Sequence, residues 1–490
     1  MRKNEKLWTV CLKCQGLGRK LQKIRKCRRV RYKIALDKFE KSNGAGIAPI
    51  PPKRHPYACL NCSGTGLIPA SKNREADKEN FPSIAIIGAG IGGVALAVAC
   101  LHRGIPFTIY ERDNAFNERA QGYGLTLQQA AKAIEGLGLV SLENGVISTR
   151  HVMHTADGKV IGEWGVRKWI TSDKKYSPKR TNIHIARQSL RLALLEQLGD
   201  QGVVQWGHRL IDFKENADRS MELRFQVNGK MLSANADLIV GADGIRSTVR
   251  KLLLGDAITP LRYLGCIVIL GICPLKNLEG FKHSLLDSAT VFQTANGKER
   301  MYIMPYTSDS VMWQLSFPMS EMEAKELSAK GADVLKEEAS RRSHWHDPIP
   351  QILAATQAAQ ISGYPVYDRA LLDPELLGKG DRITLLGDAA HPMSPFKGQG
   401  ANQALLDALA LARAISRGCG VFSKWREVGL RKSVLTEFES EMLERTSSKV
   451  KDSAEAAAFL HSEIVLHEGN ETRGSINKGK TISSLGLQLK

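Results

Sequence analysis

The stretch 381–418 constrains the fold more than any other part of the chain. Its apolar run at 383–386 breaks at a Gly-Asp pair, as a buried strand breaks at its carboxyl end. A loop rich in proline and glycine follows, and from Ala401 onwards the apolar residues recur with helical spacing. A helix start that is entered through glycines presents free N–H groups and a positive dipole end. We therefore expect an electron-rich ligand against residues 398–402.

A second glycine-rich turn lies between an apolar run at 83–87 and an apolar helical pattern that ends near residue 104. The next strand, at 107–110, closes with Glu111, which lies where dinucleotide-binding folds place a ribose-binding acid. Strand, turn, helix and acid together predict a dinucleotide site, but they do not separate FAD from NAD. The glycines of this fingerprint are Gly88, Gly90 and Gly93.

Two further segments carry a resemblance to a known family. An apolar strand at 237–240 ends in GADGIRSTVR, which contains Asp243, and the stretch 381–418 contains Gly387 and Asp388 followed by His391. The GxGxxG, DG and GD segments resemble, in order and separation, those of the class A flavoprotein monooxygenases, the family of para-hydroxybenzoate hydroxylase. The resemblance runs from about residue 81 to the C-terminal helices. The helical pattern at 437–467 is similar to the long helix of the tetracycline-inactivating subgroup.

The resemblance implies an α/β fold class, with a Rossmann-like FAD-binding domain, an antiparallel-sheet substrate domain and C-terminal helices. The FAD-binding domain would be discontinuous and comprise residues 81–150, 181–260 and 376–420. The substrate domain would comprise residues 151–180 and 261–375, followed by a helical segment at 421–490. Period-two patterns at 152–169, 223–232 and 263–317 predict antiparallel strands, which we expect to form one sheet over the ligand.

The resemblance also implies FAD as a bound cofactor. The glycines of the turn would lie against the pyrophosphate, and Glu111 would bind the adenosine ribose. Arg112, next to it, is also expected to bind the cofactor. Arg187 matches the family's cofactor-contacting arginine, and Asp243 would lie near the pyrophosphate. Asp388 would hydrogen-bond the ribityl chain or the phosphate side, and its carboxylate can accept hydrogen bonds from ribityl hydroxyls. The residues expected to border the isoalloxazine ring are Pro395, Gly398, Gly400, Ala401 and Asn402.

The activity that the resemblance implies is monooxygenation of an electron-rich aromatic or polyketide-like molecule. NADPH or NADH would reduce FAD, and the reduced flavin would react with O2 to give a C4a-hydroperoxyflavin that hydroxylates the substrate. No side chain is required as nucleophile or base, and a histidine before proline in a tight loop favours a structural role for His391 over a catalytic one. The alternatives are another flavin oxidoreductase, such as an epoxidase, and a redox-sensing flavin domain fused to a zinc-knuckle binding module.

Two copies of CxxCxGxG, at 11–18 and 59–66, predict a metal site. A CxxC turn places two thiolates on one side of a metal, and the glycines let the backbone fold over the sulfurs. The half-motif resembles the repeats of the zinc domain of DnaJ-type chaperones, which has four copies, so two copies imply one structural zinc and do not imply chaperone activity. A pair of reduced surface turns without metal is the alternative. The expected ligands are Cys11, Cys14, Cys59 and Cys62.

The positive charge of the chain is concentrated in this zinc-knuckle extension of residues 1–70. Of a net charge of +19, residues 1–80 contribute +14, from 20 Lys or Arg and 6 Asp or Glu. The basic run at 19–33 could bind nucleic acid, a protein or an anionic membrane surface, or it could be a solvated segment around the metal site. Residues 71–80 are polar and predict a linker.

The nine cysteines, an odd number that includes two CxxC pairs, indicate reduced thiols rather than disulfides. The first residues lack the apolar core of a secretory signal, and no stretch reaches the roughly 18 to 20 apolar residues of a transmembrane span. We therefore expect a cytoplasmic location.

Overall fold

The computed structural model describes residues 7–52, 54–118, 123–139, 142–166, 182–199 and 202–472. The chain divides into two compact units, which we call unit 1 (Met1–Glu75) and unit 2 (Ala76–Lys490). The boundary between them lies within the polar stretch 71–80.

The described part of unit 1 is built from short strands and one helix, in the order β1 (Leu7–Val10), β2 (Arg19–Leu21), α1 (Lys26–Lys41), β3 (Pro56–Ala58) and β4 (Leu67–Ala70). Strand β1 pairs antiparallel with β4, and β2 pairs antiparallel with β3. The first CxxC follows β1 and the second follows β3, so the two ladders bring the cysteine pairs together. Helix α1 has no buried residue.

The first half of unit 2 contains β5 (Ile84–Ile87), α2 (Ile91–Leu101), β6 (Phe107–Tyr110), β7 (Gly124–Leu127), α3 (Ala131–Glu135), β8 (Val146–Ser148), β9 (Arg150–Thr155), β10 (Val160–Trp164), β11 (Asn182–Ala186), α4 (Arg187–Glu196), β12 (Val204–Gln205), β13 (Arg209–Glu215), β14 (Met221–Val227), β15 (Lys230–Ala236), β16 (Leu238–Gly241) and α5 (Thr248–Leu254). The second half contains β17 (Leu261–Pro274), β18 (Thr290–Ala295), β19 (Arg300–Thr307), β20 (Ser310–Pro318), α6 (Glu321–Ala329), α7 (Ala332–Arg342), α8 (Ile349–Ala355), β21 (Ile361–Arg369), α9 (Pro374–Leu377), β22 (Ile383–Leu385), α10 (Gly400–Gly418), α11 (Trp425–Val428) and α12 (Thr436–Leu460).

A five-stranded parallel sheet, in the order β12-β6-β5-β16-β22, forms the centre of unit 2. Every residue of β5 and β16 is buried, as expected for strands that are covered on both faces. Helices α2 and α10 pack against each other and share one hydrophobic core with the sheet. The loops after β5, β16 and β22 leave the same edge of the sheet, where open α/β sheets bind their ligands.

The stretch 223–232 does not join the sheet expected from the sequence. Its strands, β14 and β15, form a separate three-stranded antiparallel sheet with β13. The buried face of β14 packs towards the parallel sheet, where Phe225 stacks on Tyr110 at 4.3 Å between ring centroids. The alternating pattern predicts a half-buried strand correctly, but it contains no information on which sheet the strand joins.

The other two alternating stretches contribute to a seven-stranded sheet in the order β10-β9-β18-β19-β20-β17-β21. The sheet is antiparallel except where β9 runs parallel to β18. Helices α6, α7 and α8 cover one face and form a core with Trp313 and Phe317. The opposite face, which we call the inner face, carries Met304 and Met312 and packs against Tyr123 of unit 2. A small sheet in the order β7-β11-β8 completes the architecture.

The helical pattern predicted at 437–467 is confirmed by α12, which is followed by a 3₁₀ turn at Glu463–Leu466. The α12 residues Phe438 and Met442 belong to the core of the parallel sheet, whereas Ala456 and Leu460 pack with β9 and β10. The helix therefore connects the two sheets of unit 2. Among the described residues, no helix is both long enough and apolar enough to span a membrane.

We predict that Gly271→Ala destabilises unit 2. A Cβ at Gly271 would lie 2.6 Å from the indole ring of Trp313, which is fully buried and donates a hydrogen bond to Thr356 at 2.9 Å. Overpacking of this kind costs about 1 to 3 kcal/mol, so the midpoint of thermal unfolding should fall. Gly420→Ala is the control, since its Cβ would have an ordinary 3.4 Å contact with Ser416. Equal midpoints for the two variants would contradict the packing argument.

Candidate cofactor site and metal centre

The turn after β5 is shaped by its glycines. Gly88 has φ +104°, and a Cβ there would lie 2.6 Å from the Ala242 carbonyl oxygen. A Cβ at Gly93 would lie 2.0 Å from the Gly88 carbonyl oxygen. At Gly90, by contrast, the nearest atoms to an added Cβ are 3.9 Å away. The outer glycines are thus required for packing, whereas the middle one leaves open space at the start of α2.

Two charged side chains stabilise this turn through hydrogen bonds to the backbone of Ala89. The Glu111 carboxylate accepts hydrogen bonds from the N–H of Ala89 at 2.7 Å and of Asp113 at 3.0 Å. The buried Arg191 donates from Nε to the Ala89 carbonyl at 2.7 Å and packs over the ring of Phe116. Burial lowers the pKa of the Arg191 guanidinium. Each Glu111 oxygen retains a lone pair, so the same carboxylate can accept a further hydrogen bond.

Arg187 and Arg112 differ in exposure. Arg187 begins α4 and lies 5.4 Å from the ring centroid of Tyr123, and its Nη2 would lie 3.9 Å from a Cβ added to Gly90. Arg112 is exposed and makes a loose ion pair with Asp113 at 4.0 Å. Arg187 is therefore placed beside the open backbone at Gly90, and Arg112 lies on the surface.

The DG segment and the helix that follows it contact both the glycine turn and the GD segment. The Asp243 carboxylate accepts hydrogen bonds from the N–H of Thr248 at 2.7 Å and of Val249 at 3.2 Å, and so it caps α5. Burial raises the pKa of Asp243. Arg250, on α5, donates from Nη1 to the carbonyls of Ala389 and Ala390, each at 2.9 Å. This arginine fixes the backbone just after the GD pair.

Asp388 follows the carboxyl end of β22, in a 3₁₀ turn that begins at Gly387 with φ +58°. Its side chain is accessible, yet desolvation by the surrounding protein raises the pKa of its carboxyl, against the charges of His391 and Arg187. A Cβ added to Gly400 would lie 3.5 Å from Asp388 Oδ1. The carboxylate therefore lies at the start of α10, where it can meet a hydroxyl donor.

The side chain of Asn402 fixes the loop 395–402 to a neighbouring part of the chain. Its Oδ1 accepts from the N–H of Gln128 at 2.9 Å, and its Nδ2 donates to the Thr126 carbonyl at 2.8 Å. Gly398 has φ +59°, so a side chain there would be strained. Pro395 is exposed and Ala401 is half-buried. The Asn402 side chain thus anchors α10 to β7 and to the residue that follows it, while the backbone at the helix start can still interact with a ligand.

His391 lies in a buried ionic network and does not face an open site. Its Nε2 lies 2.7 Å from Asp407 Oδ2, which also accepts the N–H of Gly387 at 2.9 Å. Arg445 of α12 donates to Asp407 Oδ1 at 2.8 Å. Burial alone would raise the pKa of Asp407, but the neighbouring His391 and Arg445 hold it below its usual value. This partnership supports a structural role for His391.

Four residues of this site were not predicted from the sequence. They are Arg191, Arg250, Asp407 and Arg445, which all act through buried contacts. One signal was available for Arg191, because it lies one helical turn after Arg187 on the same face of α4. Asp407 likewise lies within the stretch 381–418, but nothing in the sequence pairs it with Arg445.

The four cysteines of unit 1 form a second candidate site. Their sulfur atoms all lie within 4.8 Å of one another, and Cys14 Sγ lies 3.7 Å from Cys62 Sγ. A tetrahedron with Zn–S bonds of about 2.3 Å requires S–S distances of about 3.8 Å. Within the part of the chain that the structure describes, no other cluster of potential ligands has metal-binding geometry. Cys27 is exposed and lies outside the cluster.

Polar hydrogens surround these sulfurs. The N–H groups of Gly18 and Gly66 point to Cys14 Sγ and Cys62 Sγ, each at 3.3 Å. Burial acts to raise the pKa of Cys11, but a hydrogen bond from Asn61 Nδ2 and backbone hydrogen bonds outweigh it and lower the pKa to about 7. The two CxxCxGxG segments also pack closely against each other, since a Cβ at Gly18 would lie 2.2 Å from the Gly64 carbonyl oxygen.

Comparison with known proteins places unit 2 in a family. Residues 82–419 match the family model described as an FAD binding domain, and the match begins after unit 1. The chain is 32% identical over 338 residues to the Aurachin C monooxygenase/isomerase of Stigmatella aurantiaca, covering 68% of this chain and 80% of the relative. It is 28% identical to the 3-amino-4-hydroxybenzoate 2-monooxygenase of Streptomyces cremeus, covering 77% and 87%.

A solved structure has the same fold. The Klebsiella pneumoniae protein HpxO, crystallised with FAD and uric acid, aligns with a TM-score of 0.62 at 22% identity. The alignment covers 78% of this chain and 89% of HpxO. At this identity the likeness concerns the fold alone, and it confirms the α/β architecture expected from the sequence.

We predict that Asp407→Asn weakens FAD binding although Asp407 does not face the open side of the site. An amide cannot replace a carboxylate that accepts from Gly387, His391 and Arg445 together, and hydrogen bonds to charged groups contribute about 1.5 to 3 kcal/mol. The dissociation constant for FAD, measured by flavin fluorescence, should rise roughly 10- to 100-fold.

The matched control for this prediction is Asp256→Asn. Asp256 pairs with Lys251 at 2.7 Å, and its side chain is 69% exposed, so its removal should leave FAD affinity unchanged. An Asp407→Asn variant that binds FAD as tightly as this control would show that the buried network does not position the GD segment.

Proposed function

Because the chain belongs to the FAD-binding-domain family of FAD-dependent monooxygenases, we propose that it hydroxylates an electron-rich, aromatic or polyketide-like small molecule. The observation that carries the proposal is the convergence of the three cofactor segments at one edge of the parallel sheet, with Arg250 binding the GD segment to the DG segment. The name of the Streptomyces cremeus relative, a hydroxybenzoate monooxygenase, supports an aromatic substrate.

The residues present fit FAD. The open backbone at Gly90 and Arg187 beside it suit a pyrophosphate, which is anionic, and the accessible Asp388 suits the ribityl hydroxyls. Glu111 would bind the adenosine ribose, and Asp243 would shape the pyrophosphate site by capping α5. The N–H groups at the start of α10, from Gly398 to Asn402, would stabilise negative charge on the ring. When bound, FAD supplies the redox chemistry, taking hydride from NADPH or NADH and activating O2.

The substrate would lie on the inner face of the seven-stranded sheet. Phe396, in the loop proposed to border the flavin ring, packs with Tyr123 and Tyr364 against this face. Tyr123 also packs with Met304 and Met312, so this part of the inner face carries both aromatic and thioether groups. Such a lining excludes water and favours a flat, polarisable substrate.

The tyrosines of this region would position the substrate without taking its proton. Burial raises the pKa of Tyr123, Tyr302 and Tyr364, so their hydroxyls stay protonated near neutral pH. They can donate hydrogen bonds to a substrate oxygen, but they are poor bases. The buried Asp407 already occupies the Nε2 of His391. The proposal therefore needs no side-chain nucleophile or general base, and the protein contributes position and a dry site.

We also infer one structural zinc in unit 1, held by Cys11, Cys14, Cys59 and Cys62. The sulfur spacing and the N–H groups directed at Cys14 and Cys62 support the inference, because hydrogen bonds to thiolates are typical of closed tetrathiolate sites. All four cysteines are buried, which leaves no open position for a substrate. The role of such an ion would be to hold unit 1 together.

We predict that an aromatic substrate accelerates NADPH or NADH oxidation by the purified yellow protein, and that the product gains one oxygen atom. A screen of phenolic and polyketide compounds, followed by mass spectrometry, measures both. Asp388→Ala should lose most of the bound FAD and this activity, because the ribityl hydroxyls lose their acceptor. Asp381→Ala, at an exposed position before β22, should retain both. A colourless wild-type protein that cannot be reconstituted with FAD would refute the proposal.

We predict about one zinc per chain by metal analysis. Cys59→Ser should abolish the zinc, because three thiolates leave the tetrahedron incomplete. Cys27→Ser should retain it, because Cys27 is exposed and lies outside the cluster. Unchanged zinc in Cys59→Ser would disprove the assignment of the ligands.

A further inference from the structure

The basic run of unit 1 is exposed to solvent. Between Arg19 and Lys41 the sequence has eleven Lys or Arg against two acidic residues. Seven of the basic residues lie on α1, and all seven are exposed. The family match begins only at residue 82, so the chemistry assigned to unit 2 does not account for this surface.

Repulsion between like charges destabilises helix α1. Pairs of like charge recur one turn apart, as between Arg28 and Arg31 and between Arg29 and Lys33, and such pairs destabilise a helix. No residue of α1 is buried, so tertiary packing contributes little to its stability. An anionic partner would remove the repulsion and stabilise the helix by binding it.

The distribution of side chains on α1 decides which anionic partner fits. Helices that lie in a membrane interface separate one apolar face from one charged face. On α1 the basic side chains spread around the axis, while exposed Val30 and Ile34 lie away from the half-buried Tyr32, Leu36 and Phe39. A helix without a single apolar face gains little from insertion into lipid. A groove lined by phosphates on both sides, in contrast, complements charge all around a helix.

We propose that unit 1 binds nucleic acid through contacts between α1 and the phosphodiester backbone. The helix has 16 residues, which gives a length of about 24 Å and a span of roughly seven phosphates along one strand. The antiparallel ladder of β2 and β3 adds Arg19 and Lys20, which precede α1 in the basic run. Since the contacts are made to the backbone, binding is independent of sequence and depends steeply on salt. The proposal does not rest on the flavin chemistry of unit 2.

The test uses the full-length, zinc- and flavin-loaded protein. Fluorescence anisotropy with a labelled RNA duplex and a labelled DNA duplex, each of about 20 base pairs, measures affinity between about 50 and 200 mM salt. The triple variant Arg28→Gln, Arg29→Gln, Arg31→Gln should bind at least about tenfold more weakly. Its slope of log affinity against log salt should become shallower by about 2 to 3, because three phosphate contacts are lost.

A matched triple variant in unit 2 separates the α1 surface from net charge. Lys276→Gln, Lys330→Gln, Lys379→Gln removes the same charge from exposed positions and should leave affinity and slope unchanged. Zinc and flavin contents of both variants report that the protein is folded. An equal loss of affinity in both variants would overturn the proposal, as would no binding of either nucleic acid at low salt. Binding to phosphatidylserine vesicles alone would also overturn it, in favour of a membrane partner.

Discussion

One buried carboxylate, that of Asp407, holds together the GD segment of the candidate cofactor site. It accepts hydrogen bonds from the backbone of Gly387 and from Arg445, and it lies against the ring of His391. A charge removed from water is tolerated only when it is fully paired, so these three groups must keep their places together. Asp407 therefore holds three parts of the chain in place. They are the end of β22 next to Asp388, the loop that follows it, and α12.

The parts of this site that the sequence predicted are those with local causes. Gly88 and Gly93 are required because their own turn leaves no room for a side chain. The strand before them and the helix after them follow from hydrophobic spacing, which needs no knowledge of distant residues. The same holds for the two CxxC turns, in which each pair of sulfurs lies on one side of its own loop. The fold class could therefore be predicted from three short segments.

What the sequence could not predict depends on pairings between distant segments. Arg445 reaches Asp407 across 38 positions, and Arg250 reaches Ala389 across 139. Neither pairing leaves a periodic trace in the sequence. The stretch 223–232 shows the same limit, since its alternation predicts a strand but not the sheet that the strand joins. The sequence predicts a backbone contact of Asn402 with the ligand, but not that its side chain anchors α10 to β7 and to the residue after it.

The composition of the buried cluster in unit 1 has a consequence for the whole chain. This cluster consists of the four cysteines, with Ile68 packed against them, whereas unit 2 has a large aliphatic core. An ion that binds only the folded form stabilises it by mass action. The folded fraction of unit 1 would then follow the concentration of free metal, while unit 2 would persist without it. The concentration of metal would thus affect unit 1 and the concentration of flavin would affect unit 2, although both units belong to one polypeptide.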